Sequence, residues 1–312
     1  NEAVNVDSKE FINHTDYSQN NIFGLAKYTK KGKKWNFGFT ILNQMIFSNL
    51  NKNKQSGFYI SPSINIGYQN RKTGNFSFNA VRKFSTLSIN NVFTKYIYQG
   101  NRNFNQNNVE FTVLPDYNIG FSYNVGEKMS EYFNFNFNYF RSEDYLSNNM
   151  IVNPNYTFNQ SVLIKNNNTL SSNFELRKYM KFLKSRISIL GSYMFSDYEN
   201  SINNQPLIQT KFSNIKTGIE MKSGFTGFAN YELGYEWSFN KIESDANTNN
   251  YKDQKGFLNL YFTVNPLFRI ESYIEYYKFG NTDQETTRFW DLKVNYNYKK
   301  HNRSEERRVG KE

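Results

Sequence analysis

The sequence predicts an all-β fold, an antiparallel up-and-down transmembrane β-barrel of which this chain is a part. Three observations predict it. Aromatic and amide side chains alternate without a break over residues 133–139, segments with the same period of two recur along the chain, and the connections between them are alternately short and long. Because successive side chains of a strand point to opposite faces, each segment has one apolar and one polar face.

Composition favours a wall of strands between lipid and water. Aromatic residues make up 18% of the 312 residues, chiefly 30 Phe and 24 Tyr, yet the mean hydropathy is −0.76. No apolar run approaches the roughly 20 residues of a membrane helix, which excludes that class. A soluble β-sandwich has the same alternation, but its core is mainly aliphatic.

Several kinds of site are excluded by what the chain lacks. It has no Cys, and its two histidines, His14 and His301, lie near opposite ends. Thiolate ligands, a cysteine nucleophile and a convincing Ser–His–Asp triad are therefore absent from the sequence. We expect no enzyme activity, no catalytic residues, no metal site and no cofactor.

The net charge of +11 does not predict nucleic-acid binding, because Lys and Arg are scattered through turns and loops rather than clustered on one helix face. Anionic lipid head groups and lipopolysaccharide phosphates account for the charge equally well. We therefore expect outer-membrane lipid and lipopolysaccharide as partners, and no nucleic acid.

The two ends of the chain are expected to differ from the rest. The sequence begins Asn1-Glu2-Ala3-Val4, with neither an initiator Met nor a signal segment, although an outer-membrane protein must be exported. Residues 303–312 abandon the alternation and look like a translated sequencing adapter; the alternative is a native charged tail. We therefore assign residues 1–302 to the barrel and treat 303–312 as non-native.

Thirteen strands are expected from the period of two and from the Gly, Asn, Pro and Lys clusters that interrupt it. They cover residues 21–29, 34–43, 57–69, 74–82, 110–125, 128–141, 169–178, 185–199, 210–222, 226–242, 256–264, 267–279 and 288–299. Because single-chain bacterial barrels have an even number of strands, thirteen strands indicate that some are missing.

Short and long connections alternate between these strands. The short ones are 30–33, 70–73, 126–127, 179–184, 223–225 and 265–266; the long ones are 44–56, 83–109, 142–168, 200–209, 243–255 and 280–287. Tight turns on one rim and long loops on the other are typical of bacterial outer-membrane barrels, in which the turns face the periplasm. A soluble meander has no reason for this asymmetry.

The expected lipid face carries no charge in the middle of a strand, where Lys or Arg costs about 2–4 kcal/mol. In the tenth strand it is formed by Ala229, Tyr231, Leu233, Tyr235, Trp237 and Phe239, and in the twelfth by Phe268, Ile270, Ser272, Ile274 and Tyr276. Lys178 and Lys278 fall on this face at strand ends, where their stems can reach the interface. Trp35, Trp237 and Trp290 are expected in interfacial girdles. On the opposite face, we expect Lys216 near Glu232.

Three stretches resemble the outer-membrane β-barrel of Bacteroidetes-type TonB-dependent receptors. The first combines Arg-Lys-Phe-Ser-Thr-Leu-Ser-Ile at 82–89 with Gly-Asn-Arg-Asn-Phe at 100–104, and is similar to the family's Arg-x-x-Ser segment and Gly-Asn-Pro-x-Leu loop, here without the Pro. The second is Lys-Phe-Leu-Lys-Ser-Arg-Ile at 181–187 with Gly-Ser-Tyr at 191–193. The third is Phe-Trp-Asp-Leu-Lys-Val at 289–294.

The resemblance implies a barrel of about 22 strands around a plug domain. It also implies a TonB-type energy-coupling protein as partner, acting through a plug that this sequence lacks, and an extracellular solute such as a siderophore, cofactor, glycan or peptide. The main alternative is a passive channel or structural barrel without a plug. Both place the protein in the bacterial outer membrane.

Ligand contact is expected in the two longest connections, 83–109 and 142–168, because binding residues concentrate on loops held by rigid scaffolds. The candidates for stacking on a ligand ring are Tyr96, Tyr98, Tyr145, Tyr156 and Phe158. The alternative for these aromatic side chains is packing of one loop on the other.

Overall fold

The structure is a computed structural model. It describes residues 2–6, 9–13, 16–50, 53–87, 97–107, 109, 112–127, 130–203, 206–244, 247–280, 286–298 and 301–311. Within these ranges no helix is long and apolar enough to cross a bilayer. Tyr96 and His14 lie outside the described residues.

Eighteen strands account for nearly all of the described chain. They are β1 Glu2–Val6, β2 Lys9–Asn13, β3 Tyr17–Lys31, β4 Trp35–Leu50, β5 Asn53–Asn70, β6 Gly74–Thr86, β7 Ile97–Gly100, β8 Asn103–Asn107, β9 Val113–Gly126, β10 Glu131–Val152, β11 Thr157–Met180, β12 Ser185–Ile202, β13 Ile208–Ser223, β14 Ala229–Ser244, β15 Asn247–Asn265, β16 Phe268–Lys278, β17 Thr287–Tyr298 and β18 His301–Lys311. A short 3-10 helix, Lys181–Leu183, joins β11 to β12.

The strands form one antiparallel up-and-down sheet, as the alternation predicts. Its order is β3-β4-β5-β6-β9-β10-β11-β12-β13-β14-β15-β16-β17-β18, with β7 and β8 beside this path. All thirteen expected strands are confirmed as members of it. β1 and β2 pair with each other in a separate sheet.

Residues 301–311, most of which fall in the segment expected to be non-native, form a strand at the edge of the sheet. The segment His301–Lys311 forms β18, which pairs antiparallel with β17 along its length. Strand pairing needs only main-chain donors and acceptors, so a segment without alternation can still extend a sheet edge. The non-native origin of 303–312, and with it the division at residue 302, stays a prediction.

Strand register keeps one face apolar across the whole sheet. A single cross-strand row contains Phe78, Phe121, Phe137 and Ser172 on successive strands, and another contains Ile189, Ile219 and Tyr235. We call the side of the sheet that holds these rows the apolar face. The intervening residues, such as Asn79, Asn138 and Lys216, form the polar face. The faces expected for the tenth and twelfth strands, now β14 and β16, are confirmed.

The apolar face is not covered by a second layer within the described chain. Its large side chains remain exposed, with Ile219 at 46%, Leu176 at 45% and Trp290 at 50% of their full surface. The few buried hydrophobic side chains, Ile46, Leu87, Phe158 and Ile164, do not lie between two layers of a sandwich but in or near the outer ends of strands. The arrangement therefore contradicts a soluble β-sandwich.

Glycine permits two of the short turns. Gly126 ends β9 at φ +89, and a Cβ there would lie 1.9 Å from the carbonyl oxygen of Glu131. Gly74 begins β6 at φ +92, with the carbonyl oxygen of Asn124 2.5 Å from the position of a Cβ. A side chain at either position would be strained both by φ and by contact.

Most of the expected long connections are strand rather than loop. The segments 44–56, 142–168, 200–209 and 243–255 lie largely within hairpins, since β10 runs to Val152 and β11 starts at Thr157. The expected boundaries were wrong because apolar residues in these outer segments run consecutively, as in Met150-Ile151-Val152 and Val162-Leu163-Ile164, instead of keeping to one face. The period of two therefore stops before the strand does. The expected asymmetry in connection length is therefore wrong for most of these connections, since β10 and β11, for example, are separated by only four residues, 153–156.

The expected pairing of Lys216 with Glu232 was wrong in register. Residues 224–228 connect β13 to β14, which is longer than the 223–225 turn expected from sequence. In the observed register Lys216 lies opposite Ser238, which is six residues after Glu232 in the sequence. The Nζ of Lys216 is 2.9 Å from Oε2 of Glu236. Glu232 pairs instead with Lys222, at 3.2 Å. All four side chains do share the polar face.

A matched pair of substitutions in β10 tests the two faces. Phe137→Lys places a charge near the middle of the apolar face, and we expect it to lower the free energy of unfolding in lipid vesicles by about 2–4 kcal/mol. Asn136→Lys, on the polar face one residue away, is expected to change it by less than about 1 kcal/mol. Urea titration of the refolded protein measures both. Equal effects of the two changes would contradict the assignment of faces.

Candidate functional site

The candidate site is formed where β10 and β11 continue beyond the length that a bilayer requires. A transmembrane strand needs about 9–11 residues, whereas β10 has 22 residues and β11 has 24. We call the part of this pair from residue 144 to residue 165 the outer hairpin. It lies on the rim of the long connections, which is the rim where ligand contact is expected.

In the outer hairpin, β10 and β11 have different neighbouring strands from those they have in the main sheet. In the sheet, β9 lies beside β10 as far as Ser142, and β12 lies beside β11 as far as Asn168. Above that level β8 pairs with β11, and the end of β12 pairs with β10, both in parallel. The strand order is thus reversed, as strong twisting of a two-stranded ribbon allows.

Two side chains mark where the hairpin leaves the sheet. Asn166 has a left-handed φ of +62, which is rare outside glycine. Arg141 donates a hydrogen bond from Nη2 to Oδ1 of Asn166, at 3.2 Å. At the end of β12, Asn203 ties the exchanged strand to β10: its Oδ1 accepts from the amide of Val152, and its own amide donates to the carbonyl of Met150, both at 2.9 Å.

Four aromatic rings pack together where β8 meets the outer hairpin. We call Tyr98, Phe104, Tyr156 and Phe158 the aromatic cluster. The ring of Phe104 lies 5.4 Å from Tyr98, 6.1 Å from Tyr156 and 5.6 Å from Phe158, while Tyr156 and Phe158 are 4.7 Å apart. Phe158 is 9% exposed and contacts Ile151 as well. Edge-on and tilted rings at such distances attract each other beyond simple burial.

A chain of amides crosses the same four strands next to the aromatic cluster. Gln160 donates to Gln106 at 3.1 Å, and Asn149 donates to Gln160 at 3.4 Å. Ser201 then donates to Oδ1 of Asn149 at 3.2 Å. Asn149 and Ser201 are buried, so these bonds satisfy polar groups that would otherwise destabilise the arrangement. The order β8-β11-β10-β12 is therefore fixed by side chains as well as by main-chain pairing.

Tyr145 fastens the outer hairpin to β12. Its hydroxyl donates to the carbonyl of Glu199 and accepts from the amide of the same residue, each at 2.7 Å. It lies fourteen residues from the start of β10, beyond the stretch that a bilayer requires. Burial raises the pKa of the Tyr145 hydroxyl above its ordinary value of 10, so it remains a donor through the physiological range.

Three of the predicted site residues come together, and one does not. Tyr98, Tyr156 and Phe158 belong to the aromatic cluster, whereas Tyr145 holds β12 through Glu199. Phe158 is buried and supports the cluster, while Tyr98, 52% exposed, presents a ring to solvent. Packing of loop on loop is thus confirmed for Tyr156 and Phe158. Stacking of a ligand on Tyr98 stays a prediction.

Phe104 was missed as a member of the cluster. The signal was present, because the run Asn103-Phe104-Asn105-Gln106 alternates like a strand and faces the same way as Phe158. The turn before it is also recognisable: Gly100, Asn101 and Arg102 all have positive φ, which a Gly-Asn pair accepts readily. The parallel pairing of β8 with β11 has no signal in the sequence.

The polar face carries ion pairs between neighbouring strands. Besides the two pairs of β13 and β14, Lys255 Nζ of β15 lies 3.3 Å from Glu275 of β16. Within β16, Arg269 Nε lies 2.8 Å from Glu271. The Tyr261 hydroxyl donates to Glu232 at 3.3 Å. Such pairs have little net effect on stability where water reaches them, but they make this face strongly polar. No group of His, Asp and Glu suited to a metal ion occurs in the described ranges.

Comparisons with known proteins give likenesses of fold alone. No family model matches the chain, and no curated protein matches it. Among solved structures, the ferric-catecholate import receptor Fiu of E. coli K12 is 7% identical, with a TM-score of 0.49 over 90% of this chain and 56% of that chain. The chain therefore spans about half the length of that receptor.

Two other solved structures align with nearly the whole of this chain over nearly the whole of their own length. OmpT, an outer membrane protein of Vibrio cholerae, is 10% identical with a TM-score of 0.32, over 95% of each chain. The β-domain of the Bordetella autotransporter BrkA is 7% identical with a TM-score of 0.31, over 90% of this chain and 96% of that domain. These neighbours are outer-membrane β-barrels. We argue function from strand register and exposed surface instead.

Substitution of Tyr145 tests whether its hydroxyl holds β12 against the outer hairpin. Tyr145→Phe removes both hydrogen bonds and leaves the amide and carbonyl of Glu199 unpaired, a loss of about 1–3 kcal/mol. We expect hydrogen exchange at Glu199 and its neighbours to accelerate by roughly five- to 150-fold. Tyr198→Phe, one residue before Glu199, is the control. Unchanged exchange in Tyr145→Phe would show that main-chain pairing alone holds β12 against β10.

Proposed function

We propose that this chain is the β-barrel portion of a TonB-dependent receptor of Bacteroidetes type in the bacterial outer membrane, which imports a large or scarce solute. Candidate solutes are a siderophore, a cofactor, a glycan or a peptide. The observation that carries the proposal is the continuous apolar face, exposed from strand to strand, with a hydrated face behind it. A transport role, rather than catalysis, fits a site made of loop aromatics and amides.

The exposed apolar face supports a lipid environment on energetic grounds. Removing a large apolar side chain from water contributes about 1.5–3 kcal/mol, and this face presents such side chains on every strand from β3 to β17. In water the face would drive aggregation. Hydrocarbon covers it without a second protein layer.

The tryptophans support a bilayer of ordinary thickness. Trp35 is the first residue of β4 at the short-turn rim, whereas Trp237 and Trp290 each lie eight residues from the short-turn ends of β14 and β17. Eight residues span about 26 Å along a strand, or ~20 Å across the membrane at a tilt of about 40°. All three lie on the apolar face, at separations that suit the two interfacial girdles.

The wider assembly is part of the same proposal. The main sheet has fourteen strands in its path, and we propose that the whole protein closes a barrel of about 22 strands around a plug. The plug would engage a TonB-type coupling protein, and the extracellular solute would first meet the rim that carries the outer hairpin and Tyr98. Outer-membrane lipid and lipopolysaccharide surround the wall.

A passive channel or structural barrel without a plug is the second candidate. It is favoured by the same two faces and by the hydrated ion pairs of the polar face. The two candidates differ in whether the lumen is obstructed, because a plugged barrel conducts ions only after its plug is displaced.

Tryptophan quenching tests the lipid environment. In vesicles of brominated phosphatidylcholine, variants that keep only Trp35, Trp237 or Trp290 are expected to be quenched more by bromines near the head group than by bromines near the chain ends, because interfacial rings lie at head-group depth. A variant whose only tryptophan is introduced by Asn136→Trp, on the polar face, is the control and should be quenched little. Strong quenching of the control, or none of the native tryptophans, would contradict a lipid-facing apolar face.

Ion conductance separates the importer from the channel. The protein encoded by the complete gene, inserted in a planar bilayer, is expected to show no steady conductance until urea unfolds the plug, and reversible conductance thereafter. Immediate steady conductance would assign the protein to the passive channels. The untreated bilayer exposed to the same urea concentration is the control.

A further inference from the structure

Near its outer edge, the apolar face carries a pair of arginines on either side of a tyrosine. Arg82 of β6 lies directly opposite Tyr117 of β9, and Tyr117 lies directly opposite Arg141 of β10. Neighbouring strands are about 4.8 Å apart, so the two arginine backbones are separated by roughly 10 Å. Two side chains of this length can reach a single group placed between them.

The height of the pair corresponds to a head-group region. Arg82 lies eight residues from the short-turn end of β6, and Arg141 lies ten residues from that end of β10. These positions are about 20–25 Å across the membrane from the short turns, which is the upper limit of an apolar band about 25 Å tall. Below them on the same face are Ala80, Ile119 and Tyr139.

The contacts of Arg82 hold its guanidinium against rings rather than against an acid. Its Cζ lies 4.8 Å from the centre of the Phe84 ring and 5.2 Å from that of Tyr117. Its Nε is buried without a hydrogen-bond partner in the described chain. Rings hold the planar group in place while leaving its charge uncompensated.

Arg141 and the acidic residue Glu143 are two other charged residues near Arg82 and Tyr117. Arg141 is exposed and donates from Nη2 to Asn166. Glu143, half-buried, is the acid of this cluster, and its Oε1 accepts a hydrogen bond of 2.8 Å from the Tyr117 hydroxyl. Two cations and one carboxylate leave the cluster positive. Lys252, Lys278 and Arg288 continue the cations on the apolar face of β15, β16 and β17 near the same height.

From this geometry we propose that Arg82 and Arg141 form a binding site for the phosphate group of an anionic lipid in the outer leaflet. Arginine binds phosphate oxygens through paired N–H donors, and an apolar surface directly below the pair gives the acyl chains of the same molecule a place to pack. The site rests on the proposed membrane location of the apolar face, and it does not depend on which solute the protein transports.

Lipid retention tests the site. The protein is inserted in phosphatidylcholine vesicles that contain either lipid A with its phosphates or dephosphorylated lipid A, and native mass spectrometry after release counts the lipid A that stays bound. A basic residue near an anionic surface contributes about 1 kcal/mol, or roughly fivefold in affinity. We expect the wild type to retain only the phosphorylated lipid, with about fivefold loss in Arg82→Gln or Arg141→Gln and about 25-fold loss in the double variant.

Two further variants make the outcome specific. Glu143→Gln removes the opposing carboxylate and is expected to raise retention, whereas Lys216→Gln, which removes one positive charge from the polar face, should leave it unchanged. Equal retention of both lipids, or equal loss in Lys216→Gln, would overturn the site. Displacement of lipid A by millimolar inorganic phosphate would assign the arginines to a free anion instead. Failure of the wild type to insert in either vesicle would overturn the membrane location, and the site with it.

Discussion

The structure depends on one constraint, the antiparallel register that places the apolar sides of neighbouring strands on the same face of the sheet. A slip of one residue at any pair would turn that strand's Phe and Ile residues to the polar face. The rows that contain Phe78, Phe121 and Phe137, and Ile189 and Ile219, show no such slip. The exposed apolar face, the hydrated ion pairs and the height of the tryptophans all follow from this register.

Beyond the apolar face, the order of the strands is set by the outer hairpin and not by the main sheet. The outer hairpin leaves the plane of the sheet, and its twist places β8 and β12 on the opposite edges. Side chains then fix the arrangement: the aromatic cluster on β8 and β11, the amide chain through Asn149, and the hydroxyl of Tyr145. An arrangement held by side chains thus forms from residues that the sequence pattern assigns to loops.

The transition between these two regions is where we place the lipid site. Arg82, Tyr117 and Arg141 lie in one cross-strand row, directly above the row of Ala80, Ile119 and Tyr139. The residues of the wall change there from rings and aliphatic chains to cations that face outward. A protein wall in a bilayer needs such a change at head-group depth, because acyl chains and phosphates are separated by only a few ångströms.

The sequence by itself determined which segments form strands and which of their residues share a face, because alternation with a period of two reports directly which side chains lie on the same side of a sheet. It did not determine the register across residues 224–228, because a shift of six residues, an even number, places Lys216 opposite Ser238 instead of Glu232 without changing the face. Nor did it place Phe104 on Phe158 or Tyr145 on Glu199, because those contacts join segments far apart in the chain. Only the tertiary structure decided them, through a twist of the outer hairpin that accumulates over many residues and leaves no local signal.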